Sequence, residues 1–176
     1  MKIQTRPLNQ SGSFVNNLMG NNATEPVVGQ PATLCLYSDR NPYEVISIGN
    51  GGKSCILRRL SAKRVDNNGM SECQSYEYTS NENAPTIELV WRKNGDGGVW
   101  KKRTQYVRFT DALLDRADLN KGDVRGCMTD EELIAVFGPT LRGEMQCVDG
   151  LTKIVNNYTP VSVMFGVAEK YYDFSY

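Results

Sequence analysis

One stretch narrows the fold more than any other: Pro85-Thr-Ile-Glu-Leu-Val-Trp-Arg-Lys-Asn-Gly-Asp-Gly-Gly-Val-Trp-Lys-Lys-Arg103. Ile87, Leu89 and Trp91 alternate with Glu88, Val90 and Arg92, the period of a half-buried strand. Asn94-Gly95-Asp96-Gly97-Gly98 then reverses the chain, because Asn and Gly tolerate the positive φ angles of hairpin turns. Val99, Trp100 and a basic run lead back. A hairpin here commits the neighbouring segments to an antiparallel sheet. Its turn gathers Arg92, Asn94, Gly95 and Trp100, with Arg40 expected as a second cation and Tyr78 as an alternative stacking face. Guanidinium suits phosphate, amide suits a base edge and indole suits a ring. The plain alternative is a solvated hairpin with one core Trp.

The flanking sequence repeats the strand rhythm. Thr33–Tyr37, Tyr43–Ile48 and Lys53–Leu60 alternate with polar turns at Ser38–Pro42 and Gly49–Gly52, which predicts a three-stranded meander. Gly52-Lys53-Ser54 is not a phosphate loop, since that pattern needs glycine where Ser47 stands and a helix after the lysine. Ala62–Cys73 reads as a long polar connection, and 74–103 as a second three-stranded meander. Phe109–Leu119 has helical spacing, with Thr110 or Asp111 as cap. Thr129–Phe137 is a second helix, where Thr129 and Glu132 form a capping box and Gly138-Pro139 is the stop. The loop from Asp118 mimics a calcium loop. It places Gly122, Asp123 and Thr129 where an EF-hand needs an oxygen, a glycine and a bidentate Glu, so no metal site is expected. Residues 139–160 read as loop, Val161–Phe165 as a buried strand, and Lys170–Tyr176 as an aromatic end that adds an edge strand or meets a partner chain. The expected fold class is α+β, a curved, barrel-like antiparallel meander with two inserted helices. A flexible arm at 1–30 precedes a single domain over 31–176, with the helical insertion at about 104–160.

Composition removes whole classes of function. There is no histidine, so triads, Cys–His pairs and His-metal hydrolase sites are absent, and no carboxylate pair stands at a recognisable catalytic spacing. No catalytic residue and no cofactor are expected. Lys plus Arg and Asp plus Glu number 20 each, so no global field gathers nucleic acid. The five cysteines form no Cys-x-x-Cys pair, and buried, reduced thiols are expected. No signal-peptide pattern and no run of membrane-spanning length is present, which predicts a cytosolic, soluble chain.

Four pieces in order carry a resemblance: Leu36-Tyr-Ser-Asp-Arg-Asn-Pro-Tyr-Glu-Val45, Gly69-Met-Ser-Glu-Cys-Gln-Ser-Tyr-Glu-Tyr78, Trp91-Arg-Lys-Asn-Gly95 with Trp100, and Tyr171-Tyr-Asp-Phe-Ser-Tyr176. Over about residues 30–103 and 160–176 the chain resembles the first anti-Thoeris family, phage sponges for a cyclic ADP-ribose isomer. That resemblance implies a non-enzymatic homo-oligomer in the cytoplasm of an infected bacterial cell. It would bind a cyclic nucleotide-type messenger in pockets shared between subunits. Two departures stand out. The section between Trp100 and the terminal aromatics is longer here, and a glycine-arginine step before the terminal motif is Gly166-Val167, with the nearest cation at Lys170. A phage structural or protein-interaction protein without a small ligand is the competing reading, with the Tyr-rich end as its contact. A single-strand nucleic-acid binder using Trp91, Trp100 and Lys101–Arg103 is a third, which the zero net charge opposes.

Overall fold

A computed structural model describes residues 24–36, 38–71, 73–94, 97–117, 124–138 and 143–172. Most of the expected arm, the turn residues Gly95 and Asp96, the start of the calcium-like loop and the last four residues fall outside this set. The fold is α+β, a curled antiparallel sheet with two helices. Its strands are β1 Pro31–Cys35, β2 Arg40–Gly49, β3 Ser54–Arg59, β4 Ser61–Arg64, β5 Tyr76–Thr79, β6 Thr86–Asn94, β7 Gly97–Phe109, β8 Thr152–Pro160 and β9 Ser162–Phe165. The helices are α1 Asp111–Arg116 and α2 Asp130–Phe137. Seven strands run in the order β8-β7-β6-β3-β2-β1-β9, and β4 with β5 forms a separate ribbon. The chain divides into two compact units, Met1–Arg103 with Tyr158–Tyr176, and Thr104–Asn157.

In the first unit, the expected meander and hairpin form. β1 pairs β2, β2 pairs β3, and β6 pairs β7 with Trp91 opposite Trp100 and Asn94 opposite Gly97. A bulge between Val45 and Ser47 adds local twist. Val161 N–H donates to Trp100 O of β7 at 3.0 Å, and the next residue, Ser162, pairs Cys35 of β1. In the strand order β7 and β1 are four spacings apart, roughly 19 Å in a flat sheet at about 4.8 Å each. Adjacent residues are only about 3.8 Å apart, so the sheet has to curl. The interior side chains agree: Trp100 of β7 meets Phe165 of β9 edge to face, with centroids 5.3 Å apart. Around that pair lie Leu34, Val45, Leu57, Leu89 and Val163, each buried. Burying a side chain of this size stabilises by about 1.5–3 kcal/mol.

Several expectations fail for identifiable reasons. Strand β2 starts at Arg40, because Leu36 N–H donates to Asp39 O and closes a tighter turn than expected. Pro42 sits inside the strand, since the extended bias it imposes on Asn41 serves a strand as well as a turn. Part of the polar connection is β4, which pairs with β5, so β5 does not join β6 in a second meander. The cysteines split: Cys35 and Cys55 are buried, whereas Cys73 and Cys147 are exposed. Burial pushes the Cys55 thiol up to about 12. Near the end of the described residues, Tyr171 exchanges two backbone hydrogen bonds with Arg40, of 3.0 and 3.1 Å, as a bridge; the rest of the expected aromatic edge strand, 173–176, lies outside the described residues.

In the second unit, β7 continues to Phe109, so that residue belongs to a strand and not to the helical stripe. Thr110 caps α1 and its hydroxyl accepts from Leu113 N–H. Thr129 and Glu132 cap α2 reciprocally, as their spacing predicts. Arg116 ion-pairs with Glu132 at 3.1 Å and ties the helices together. The stretch read as loop contains β8, tied to β7 by Gln105 donating to Asn156 at 3.1 Å.

Candidate functional site

The hairpin organises a cavity of about 360 Å³, and of the residues expected to share it Trp100 lines the wall. Its walls are Trp91 and Trp100, the Gly51–Lys53 turn, and Thr24–Pro26. Asn50, Gly51 and Gly52 take φ values of 51°, 60° and 86°, a region glycine adopts without strain and asparagine tolerates better than most residues. Trp91 N–H donates to Lys53 O at 2.7 Å, so the turn is fixed beside the indole. Gly29 N–H donates to Val45 O at 2.8 Å, and Val45 N–H donates to Gln30 O at 2.9 Å, so the 24–30 segment is tied to β2.

Gly98 decides how Trp91 lies. A Cβ at Gly98 would collide with Cε2, Cζ2 and Nε1 of the Trp91 ring. Only a residue without a side chain lets the indole lie across β7. Trp100 is 6% exposed and wedged between Trp91, at 5.5 Å and 64°, and Phe165. The ring available for stacking is therefore Trp91, while Trp100 backs it from the core.

Strand alternation separates the remaining candidates. Trp91 and Arg92 are consecutive, so they point to opposite faces of β6. Arg92 is exposed and its guanidinium stacks 4.7 Å above the Tyr158 ring, away from the cavity. Asn94 pairs Gly97 through the backbone, and Gly95 lies outside the described residues. Arg40 and Tyr78 belong to the other end of the unit. The ten residues of β2 place Arg40 roughly 30 Å along the strand from Gly49. Arg40 is buried, ion-paired with Glu169, and 5.8 Å from the Tyr171 ring. Tyr78 Oη accepts from Lys170 N–H at 2.8 Å, and burial raises its pKa above the usual phenol range. Both side chains hold the 169–171 segment.

Thr24–Pro26, Gly51, Gly52, Lys53 and Trp91 are the cavity residues that the hairpin-turn reading passed over. A signal did exist. Trp91 shares its strand face with Leu89, and its cross-strand partner is Trp100. That Lys53 would come beside this pair needed the β3–β6 register, which local sequence does not carry.

Among the described residues, no group of three or more His, Cys, Asp or Glu side chains is placed to hold a metal ion. Nor is any helix there long and apolar enough to cross a membrane. No family model matches the chain, and neither a curated protein nor a solved structure matches it.

Proposed function

We propose that the protein binds and sequesters a cyclic ADP-ribose-type or related cyclic nucleotide messenger, without catalysis, as a phage anti-defence protein. The observation that carries the reading is the Trp91 indole, kept over Gly98 and lining one cavity with Lys53. Aromatic stacking contributes about 1–3 kcal/mol per base. A hydrogen bond from a charged donor such as the Lys53 amine adds about 1.5–3 kcal/mol. The volume falls at the lower end of ordinary ligand sites, which span about 300–1,000 Å³. Sequestration needs affinity alone, so a chain without histidine loses nothing. The resemblance adds the ligand class, the bacterial cytoplasm as the place of action, and a homo-oligomer whose second copy would complete the open cavity.

The test is calorimetry with cyclic ADP-ribose isomers and cyclic oligonucleotides. Trp91→Ala and Lys53→Ala should each weaken binding about ten- to a hundredfold. Arg92→Ala, on the opposite strand face, should change it little. A loss confined to Arg92→Ala would move the site across the hairpin. If the wild type binds none of these ligands, the protein-interaction reading replaces this one. Exposed Tyr106 and Ile154, in the second unit, favour that alternative.

A further inference from the structure

A second concavity, about 470 Å³ in volume, opens in the first unit where β3 passes through Leu60 into β4 and the Asn81–Pro85 loop returns over it. Two cations line it, Arg59 and Lys170. Both donate to the same acceptor: Arg59 Nη2 and Lys170 Nζ each lie 3.0 Å from Asn41 Oδ1. Asn41 is buried and neutral, so a single amide oxygen holds two positive charges. Of the carboxylates nearby, Asp39 acts on Lys170 through its charge from outside the cavity wall, and the other two are committed elsewhere. Glu44 accepts from Arg58 at 2.8 Å and from Ser80 at 2.6 Å, and Glu169 pairs with Arg40. Among the described residues, neither Arg59 nor Lys170 makes an ion pair, and no carboxylate lines the cavity. Burial pushes the Lys170 amine below its usual range; Asp39 opposes that shift and Arg59 adds to it.

We propose that this cavity is a phosphate-binding site, with Arg59 and Lys170 as the ligands of the anion and Asn41 as the residue that orients them. Charge and geometry select the class: two cations on one amide oxygen, with no carboxylate in the wall, favour a multivalent phosphate over a monocarboxylate. The arginine fork matches two phosphate oxygens and the ammonium takes a third. Pro42 and Pro85 contribute no N–H to the wall, where Arg59 and Lys170 supply the charged donors. No aromatic side chain lines the walls, which excludes a stacked base and separates this site from the Trp91 cavity. The volume exceeds a bare phosphate, and Leu60, Ala62 and Pro85 would seat the aliphatic part of a phosphate ester such as a sugar phosphate.

The experiment follows the Lys170 side chain by NMR in the intact chain. Inorganic phosphate and ribose 5-phosphate are titrated at fixed ionic strength. Either ligand should raise the Lys170 pKa saturably. By that readout Arg59→Gln should lower affinity at least tenfold, while Lys63→Gln, an exposed lysine on β4, should leave it unchanged; Lys170→Gln, followed by calorimetry, should lose affinity to the same degree as Arg59→Gln. Tighter binding of ribose 5-phosphate assigns the site to an ester, and equal binding assigns it to free phosphate; both support the anion site. An unmoved Lys170 resonance in the wild type overturns the proposal without any variant. Equal losses in Arg59→Gln and Lys63→Gln overturn it too, because they reveal only general charge attraction.

Discussion

Gly98 shows how much one missing side chain decides. Trp91 cannot yield to a methyl group at that position, because Trp100 stands behind it and Phe165 behind that. Gly98→Ala should therefore cost about 1–3 kcal/mol, as overpacking generally does. A lower denaturation midpoint, with altered tryptophan fluorescence, is the expected readout; an unchanged midpoint would mean that the indole has another place to go. At this scale the sequence was partly legible. Glycines at a turn were expected, but their reason was not, since a cross-strand clash depends on register. The same holds for Arg92. Its neighbours in sequence suggested company with an indole, and the two-residue period of its own strand sends it to the other face.

Elements with local signals were readable, and those that owe their existence to a partner were not. β1 to β3, the β6–β7 hairpin and the α2 capping box each carry turn, alternation or cap residues within a few positions. β4 is Ser-Ala-Lys-Arg, and β8 carries Asn156-Asn157 in its middle. Neither looks like a strand until β5 or β7 lies beside it. The β4–β5 ribbon has its own clasp. Asp66 accepts from Arg64 at 2.8 Å, from Ser75 N–H at 2.6 Å and from Asn68 N–H at 2.9 Å. The Arg64 hydrogen bonds, followed by the two backbone bonds, hold its carboxyl well below the usual range. A depressed acid stabilises above its unfolded pKa of about 3.9, and that contribution fades as pH falls through the lower folded value. The clasp should thus persist where ordinary carboxylates protonate and open only in stronger acid. Amide exchange at Ser75 and Asn68 measures this, and Asp66→Asn should speed both at neutral pH. Exchange in the variant as slow as in the wild type would show that the loop holds without the charge.

For the molecule as a whole, the curl of the first unit is the organising fact. An antiparallel meander was foreseeable from strand rhythm. That β7 and β9 come together through Val161 was not, because no local pattern encodes which strands meet across the curl. Phe165 is 1% exposed and reaches Trp100 across the interior. Phe165→Ala should cost about 3–5 kcal/mol, as emptied aromatic positions do. A calorimetric midpoint that barely moves would mean that β7 and β9 are not packed together. The cavity's chemistry, an indole with a cation and glycines, was legible, and so was Trp100; the rest of its membership was not, since Lys53 joins Trp91 only through the pairing of β3 with β6.

The closing contact between β1 and β9 also sets a timetable. Thr33 Oγ1 donates to Val167 O across 134 residues of chain. During synthesis, β1 leaves the ribosome long before β9 exists. At roughly 5–20 residues per second, its outer edge waits several seconds or more for the strand that covers it. Through that interval an unpaired edge carrying Ala32 and Leu34 is open to any neighbouring nascent chain. Yield in the cell is thus tied to translation speed and to chaperone supply as well as to the stability of the finished fold.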